Sequence, residues 1–178
     1  MGGRRVFINE TEQRGKREET MRGSIPDGLK ECIEKNKESM YRLAYSYTKS
    51  REAALDIVQE TVVRALEKVH TLRDPGSMKN WLFRILVNES VSWYRKNRRT
   101  VPLPGQDEPA AQDGTAEIAE ALDVYRAVQR LGPELKTVVI LRYYEDMRLE
   151  DIAKITHAPL NTVKSRLRRG LDQIRKYL

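Results

Sequence analysis

Cysteine is nearly absent from this chain: Cys32 stands alone among 178 residues, so no internal disulfide can form. Histidine is almost as scarce. His70 and His157 lie far apart and share no metal-ligand spacing with Cys32, which argues against the common zinc motifs. Long apolar runs are missing as well: the longest aliphatic run, Val138 to Leu141, falls far short of the roughly 20 residues needed to cross a bilayer. The opening MGGRRVFINE has no apolar stretch of the kind a secretion signal carries. No GxxxxGK phosphate loop, GxSxG elbow or HExxH helix occurs. The acidic group Glu145, Asp146, Glu150 and Asp151 reads as decoration of a helix N-terminus rather than as acid/base machinery. Together these absences predict a soluble cytoplasmic protein that is not an enzyme and needs neither metal nor cofactor.

What is present is charge. The formal net charge is +7 with a pI near 9.5, which favours a polyanionic partner. Its distribution is more telling than its sum. Met40 to Arg99 holds twelve basic and six acidic residues, and Asn161 to Leu178 holds six and one. Between them, Thr100 to Glu120 has five acidic residues and no basic one. The pattern is two basic modules joined by an acidic strap.

Residues 1–28 are polar and lack periodicity, so they are expected to form a disordered extension. From Leu29 onward the periodicity is helical, and the expected class is all-α: two small helical domains, 29–100 and 116–178, with a flexible acidic linker at 101–115. The linker, VPLPGQDEPAAQDGT, has three Pro and two Gly in fifteen residues. In the first domain Leu55, Val58, Val62, Leu66 and Val69 recur at helical spacing and predict a buried face, with Asp56, Gln59, Glu60 and Arg64 opposite. Arg73 to Ser77 predicts a turn with Ser77 capping a helix that buries Trp81, Leu82, Ile85 and Leu86 and runs to about Arg99. In the second domain Gly132-Pro133 separates two helices. A short helix around Ile152, a turn at Thr156 to Pro159 and a last helix burying Leu160, Val163, Leu167, Leu171 and Ile174 complete four helices. The last pair has the plan of a helix-turn-helix.

The face of the last helix opposite its apolar residues presents Asn161, Ser165, Arg168, Arg169 and Asp172, with Thr162, Lys164 and Arg166 beside them. Arg can bind guanine bidentately and Asn can do the same for adenine, so this face suits duplex DNA. A solvated basic face on a C-terminal helix would look similar. The second concentration is Trp93, Tyr94, Arg95, Lys96, Arg98 and Arg99, where rings interleave with cations as in single-strand grips; Trp93 or Tyr94 can equally close the core.

DIVQET at Asp56 to Thr61, WLFRILVN at Trp81 to Asn88 and NTVKSRLRRGLDQIR at Asn161 to Arg175 resemble, in order and spacing, the signatures of extracytoplasmic-function (ECF) sigma factors. The resemblance covers about Glu34 to Leu178. It implies a first domain that binds the beta-prime clamp helices of RNA polymerase and opens the minus-ten element, and a second that binds the minus-thirty-five element and the beta flap. By position it implies Asp56, Gln59 and Glu60 as the polymerase-facing row. Arg73, Asp74, Ser77 and Asn80, together with Asn88, correspond to the site that captures a flipped base, and Trp93 to Arg99 to its basic flank. Asn161, Thr162, Lys164, Ser165, Arg166, Arg168 and Arg169 correspond to the minus-thirty-five reader. The implied partners are core RNA polymerase, promoter DNA and an anti-sigma factor, often membrane-anchored, with the free protein a monomer. Two positions depart from the pattern: Asn161 stands where Gly is common, and Gly170 where Ala is usual. Gly170 is expected to weaken its helix by up to ~1 kcal/mol. A stand-alone helix-turn-helix repressor would share the second domain, but it leaves DIVQET and WLFRILVN unexplained and would want a dimer seam that is not seen here.

Overall fold

The computed structural model describes the backbone of residues 10–97 and 116–178, and the side chains of residues 28–97 and 123–178. The expected linker at 101–115, with Arg98 and Arg99, lies outside them. Among the described residues there are seven α-helices and no strand: α1 (Glu10–Thr48), α2 (Arg51–Lys68), α3 (Met78–Asn97), α4 (Ala116–Gln129), α5 (Pro133–Tyr143), α6 (Leu149–Thr156) and α7 (Leu160–Arg175).

α1 begins at Glu10, so residues 10–28, expected as a disordered extension, carry helical backbone. The segment is rich in Glu, Gln, Arg and Lys, which favour helix without any apolar stripe to advertise it. The helix ends where Lys49 adopts a left-handed conformation, φ 57°, and Ser50 then caps α2 by accepting from the Ala53 N–H at 3.3 Å.

α1, α2 and α3 enclose one core around Met40, Leu43, Tyr47, Ile57, Leu82, Phe83 and Leu86. α2 corrects the sequence expectation. Its buried line is Ala54, Ile57, Thr61 and Ala65, whereas Leu55 and Leu66 are 42% and 56% exposed. Small side chains let α2 approach its neighbours closely and turn the large ones outward. The start of α3 differs too: Ser77 closes a 3-10 turn that Asp74 caps, and α3 begins after it at Met78. The Asp74 carboxylate accepts from the Gly76 N–H at 3.0 Å and from the Ser77 hydroxyl at 2.6 Å, closing the 3-10 turn Pro75–Ser77.

In the second half Gly132 caps α5 and Pro133 opens it, as their sequence predicts. Val128, Leu131, Val138, Leu141, Ile152, Ile155 and Val163 form its core. α6 ends on His157 in a left-handed conformation, φ 50°, and the Ala158 N–H returns to the Ala153 carbonyl at 3.1 Å, which makes the tight turn into α7. On α7 the fully buried residues are Val163, Gly170 and Ile174; Leu160, Leu167 and Leu171, expected to be buried, are half-buried. Gly170 faces α5 so closely that a Cβ would stand 2.9 Å from Val139 Cγ2.

The two halves touch along two seams, α1 against α5 and α3 against α6. Lys136 Nζ donates to the Ser46 carbonyl at 3.1 Å, the Tyr47 hydroxyl bonds the Thr137 hydroxyl and the Pro133 carbonyl, Arg42 meets Glu145 at 3.3 Å, and Asn80 donates to Asp151 at 2.8 Å.

Candidate polymerase and nucleic-acid interfaces

The outer face of α2 is mixed. At 100° per residue, Asp56, Gln59 and Glu60 interleave with Leu55, Val63 and Leu66, and all six are exposed. Arg64 bonds Glu60 at 2.7 Å and Glu89 of α3 at 3.0 Å, fixing one end of the acidic row. Asp56 and Gln59 have no partner among the described residues. An apolar stripe beside unsatisfied polar groups is the composition of a protein-docking face rather than of a nucleic-acid one.

The turn after α2 and the first half of α3 line a hollow of about 310 Å³ with Arg73, Asp74, Ser77, Asn80, Trp81 and Arg84. The hydrogen bonds from Ser77 and then Gly76 hold the Asp74 carboxyl below the usual carboxylate range. These two bonds tie the Asp74 side chain to the turn that follows it. Asn88, placed by resemblance at the same site, lines a different cavity of about 890 Å³, together with Tyr94, Arg95, Lys96 and Arg166. Eight residues separate Asn80 and Asn88, a rise of roughly 12 Å along the helix. Trp93 and Tyr94 are half-buried and pack on the core, Tyr94 edge-on to Tyr47 at 6.3 Å, while Arg95 and Lys96 are exposed.

On α7, Asn161, Lys164, Ser165, Arg168 and Arg169 stand exposed in one row, with Thr162 half-buried beside them. Arg166 is turned away: its guanidinium bonds Glu134 of α5 at 2.7 Å, and its Nε is buried without a partner. Sequence reasoning missed Lys136, 5% exposed inside the run Leu135 to Leu141. A lone lysine in so apolar a stretch was the available signal. Among the described residues no group of His, Cys, Asp and Glu could hold a metal, and no helix is long and apolar enough to cross a membrane.

The profile of Sigma-70 region 2 matches residues 32–100, which span the C-terminal part of α1 and all of α2 and α3; that of Sigma-70 region 4 matches residues 121–174, from α4 into α7. RNA polymerase sigma factor SigV of Bacillus subtilis is 39% identical over 81% of this chain and 87% of its own length. The ECF RNA polymerase sigma factor SigE of Mycolicibacterium smegmatis is 30% identical over 83% of this chain and 60% of its own length. The chain belongs to the ECF sigma factors of RNA polymerase. As such a factor it binds core RNA polymerase, recognises minus-thirty-five and minus-ten elements and promotes melting for initiation. The family is not an enzyme family. The fold agrees: the sigma factor RpoE of Bartonella quintana, solved in complex with the anti-sigma factor NepR, superposes with a TM-score of 0.67 at 24% identity, covering 83% of this chain and 94% of that one. CnrH, solved with the cytosolic domain of CnrY, gives 0.63 at 19%, covering 83% and 85%.

Proposed function

We propose a division of this sigma factor's work among three surfaces. The observation that carries the proposal is the α7 row, which leaves Lys164, Ser165, Arg168 and Arg169 exposed directly behind a tight helix-turn-helix corner. Ser165, Arg168 and Arg169, with Asn161 and Thr162, read the minus-thirty-five duplex, and Lys164 holds its backbone. Arg166 braces α7 against α5 through Glu134 rather than reaching phosphate.

The Arg73–Asn80 hollow takes the flipped minus-ten base, a step that costs a few kcal/mol of unstacking and so favours a preformed pocket. Asn88, Arg95 and Lys96 hold the strand beyond it, with Arg98 and Arg99 continuing the basic flank. Asp56, Gln59 and Glu60 bind the polymerase clamp, supported by Leu55, Val63 and Leu66. The functional units are residues 29–100 and 116–178 joined by the linker 101–115, and the chain works in the cytoplasm without catalysing a reaction. An anti-sigma factor holds it off when its genes are silent; two solved relatives in fold are themselves bound to one or to a partner's cytosolic domain.

Run-off transcription with core polymerase, with and without the chain, tests the whole. Arg168→Ala with Arg169→Ala should lose discrimination among minus-thirty-five variants, and Asn80→Ala should lose open-complex formation while keeping closed-complex binding. Unchanged ranking of the variants would remove α7 from base reading.

A further inference from the structure

Arg166 stands at the edge of the α7 row without joining it. It follows Thr162 by four residues, which puts the two about 40° apart on the same flank of the helix, one turn along. From that position a side chain as long as arginine's reaches the backbone of a duplex read by Thr162, Ser165 and Arg169. Instead its guanidinium meets the Glu134 carboxylate at 2.7 Å and its side chain is 18% exposed, whereas Arg168 and Arg169 stand in solvent.

Glu134 is well placed to keep that hold. It lies in the first turn of α5, where unbonded helix N–H groups favour a negative charge. One turn beyond Arg166, the close approach at Gly170 brings α7 against α5 and sets the two side chains within reach of each other. Arg166 does not fit its position alone: its Nε is buried without a hydrogen-bond partner, and Glu134 is the partner its guanidinium has among the described residues. Without the carboxylate a largely buried cation is left uncompensated, so the side chain is driven outward to water or to phosphate. Both residues belong to region 4, so the bridge does not depend on where region 2 lies.

We propose that Glu134 is a positioning residue for duplex binding that acts through Arg166: it withholds one cation from the phosphate backbone and so limits the sequence-independent affinity of α7. A phosphate contact strengthens binding to every sequence alike, so a further one would hold the free chain on random duplex without improving the reading of a promoter. Lys164, Arg168 and Arg169 are left to meet the DNA. The inference rests on the assignment of α7 to the minus-thirty-five duplex, and its test separates the two.

Anisotropy of a labelled random duplex with the full chain, over a series of salt concentrations, reads how many phosphates are met. Glu134→Gln should bind about fivefold more tightly than wild type at roughly 0.1 M salt and steepen the logarithmic salt slope by about 0.9, the equivalent of one phosphate. Arg166→Gln should keep the wild-type slope, and adding Arg166→Gln to Glu134→Gln should restore it. An unchanged slope in Glu134→Gln overturns the proposal. So does a gain that persists in the double variant, which assigns it to the lost negative charge alone, or a slope made shallower by Arg166→Gln by itself. The nitrogen resonance of Arg166 Nε in the wild-type chain gives a reading that no change of fold in a variant can disturb: it should stay in place when random duplex is added, while those of Arg168 and Arg169 move. Equal movement of all three also overturns the proposal. Affinity and slope indifferent to Lys164→Ala, Arg168→Ala and Arg169→Ala combined would instead sink the assignment of α7 to the duplex.

Discussion

Gly170 shows how a single residue reverses its meaning once its neighbours are known. On helix propensity alone, Gly170→Ala should stabilise α7 by up to ~1 kcal/mol. In the fold the added methyl would stand 2.9 Å from Val139 Cγ2, and overpacking of that kind costs about 1–3 kcal/mol. We expect a net loss of about 1 kcal/mol, read as a lower melting temperature, with Val139→Ala recovering part of it in the double variant. A raised melting temperature would show that α5 yields freely. Lys136 makes a second residue-scale prediction. Burial pushes its ammonium down to about 8 from 10.5, and among the described residues no carboxylate pairs with it. The groups facing it are the Ser46 carbonyl and the Tyr47 phenol, itself kept protonated by burial. Below pH 8 the lysine is charged both folded and unfolded, so folding carries its full desolvation cost, on the order of 3 kcal/mol. Between about 8 and 10.5 the folded form sheds the proton while the unfolded chain keeps it, so the contribution of Lys136 to stability should rise with pH. The melting temperature across that range should rise more in the wild type than in Lys136→Gln.

At the scale of the element, α2 and α7 mark what could and could not be seen in advance. Helices, the Gly132-Pro133 break and the helix-turn-helix were legible, because periodicity and turn residues are local signals. The burial of α2 was not. Five large aliphatics at helical spacing point to Leu55–Leu66 as the core face, yet Ala54, Thr61 and Ala65 are the residues that let α2 sit close, and closeness is a tertiary property. The polar row Asp56–Glu60 was placed correctly on the outside; its apolar companions were not. Leu55→Ser with Leu66→Ser should therefore change stability by no more than ~1 kcal/mol, about 0.5 for each exposed substitution. Core-polymerase affinity should fall about tenfold, or ~1.4 kcal/mol. A drop in melting temperature without a drop in affinity would return those leucines to a structural role. On α7, loss of a base-reading arginine should cost ~1–3 kcal/mol and relax preference at one base pair, whereas Lys164→Ala should weaken all duplexes alike. Measuring each variant against single-base changes at two salt concentrations separates the roles.

For the whole molecule, two basic modules and an acidic strap were visible in the charge count, but the contact between the modules was not. It depends on Lys136 meeting a helix end that lies 90 residues earlier, and no local pattern encodes such a meeting. The same contact leaves α7 bare. With Lys164, Arg168 and Arg169 as the cations of that row, binding of the free chain to random duplex should fall with salt at a logarithmic slope near −3, since each neutralised phosphate contributes about −0.9. Random duplex DNA should then compete with the promoter for free copies of the chain, and that competition should weaken as ionic strength rises.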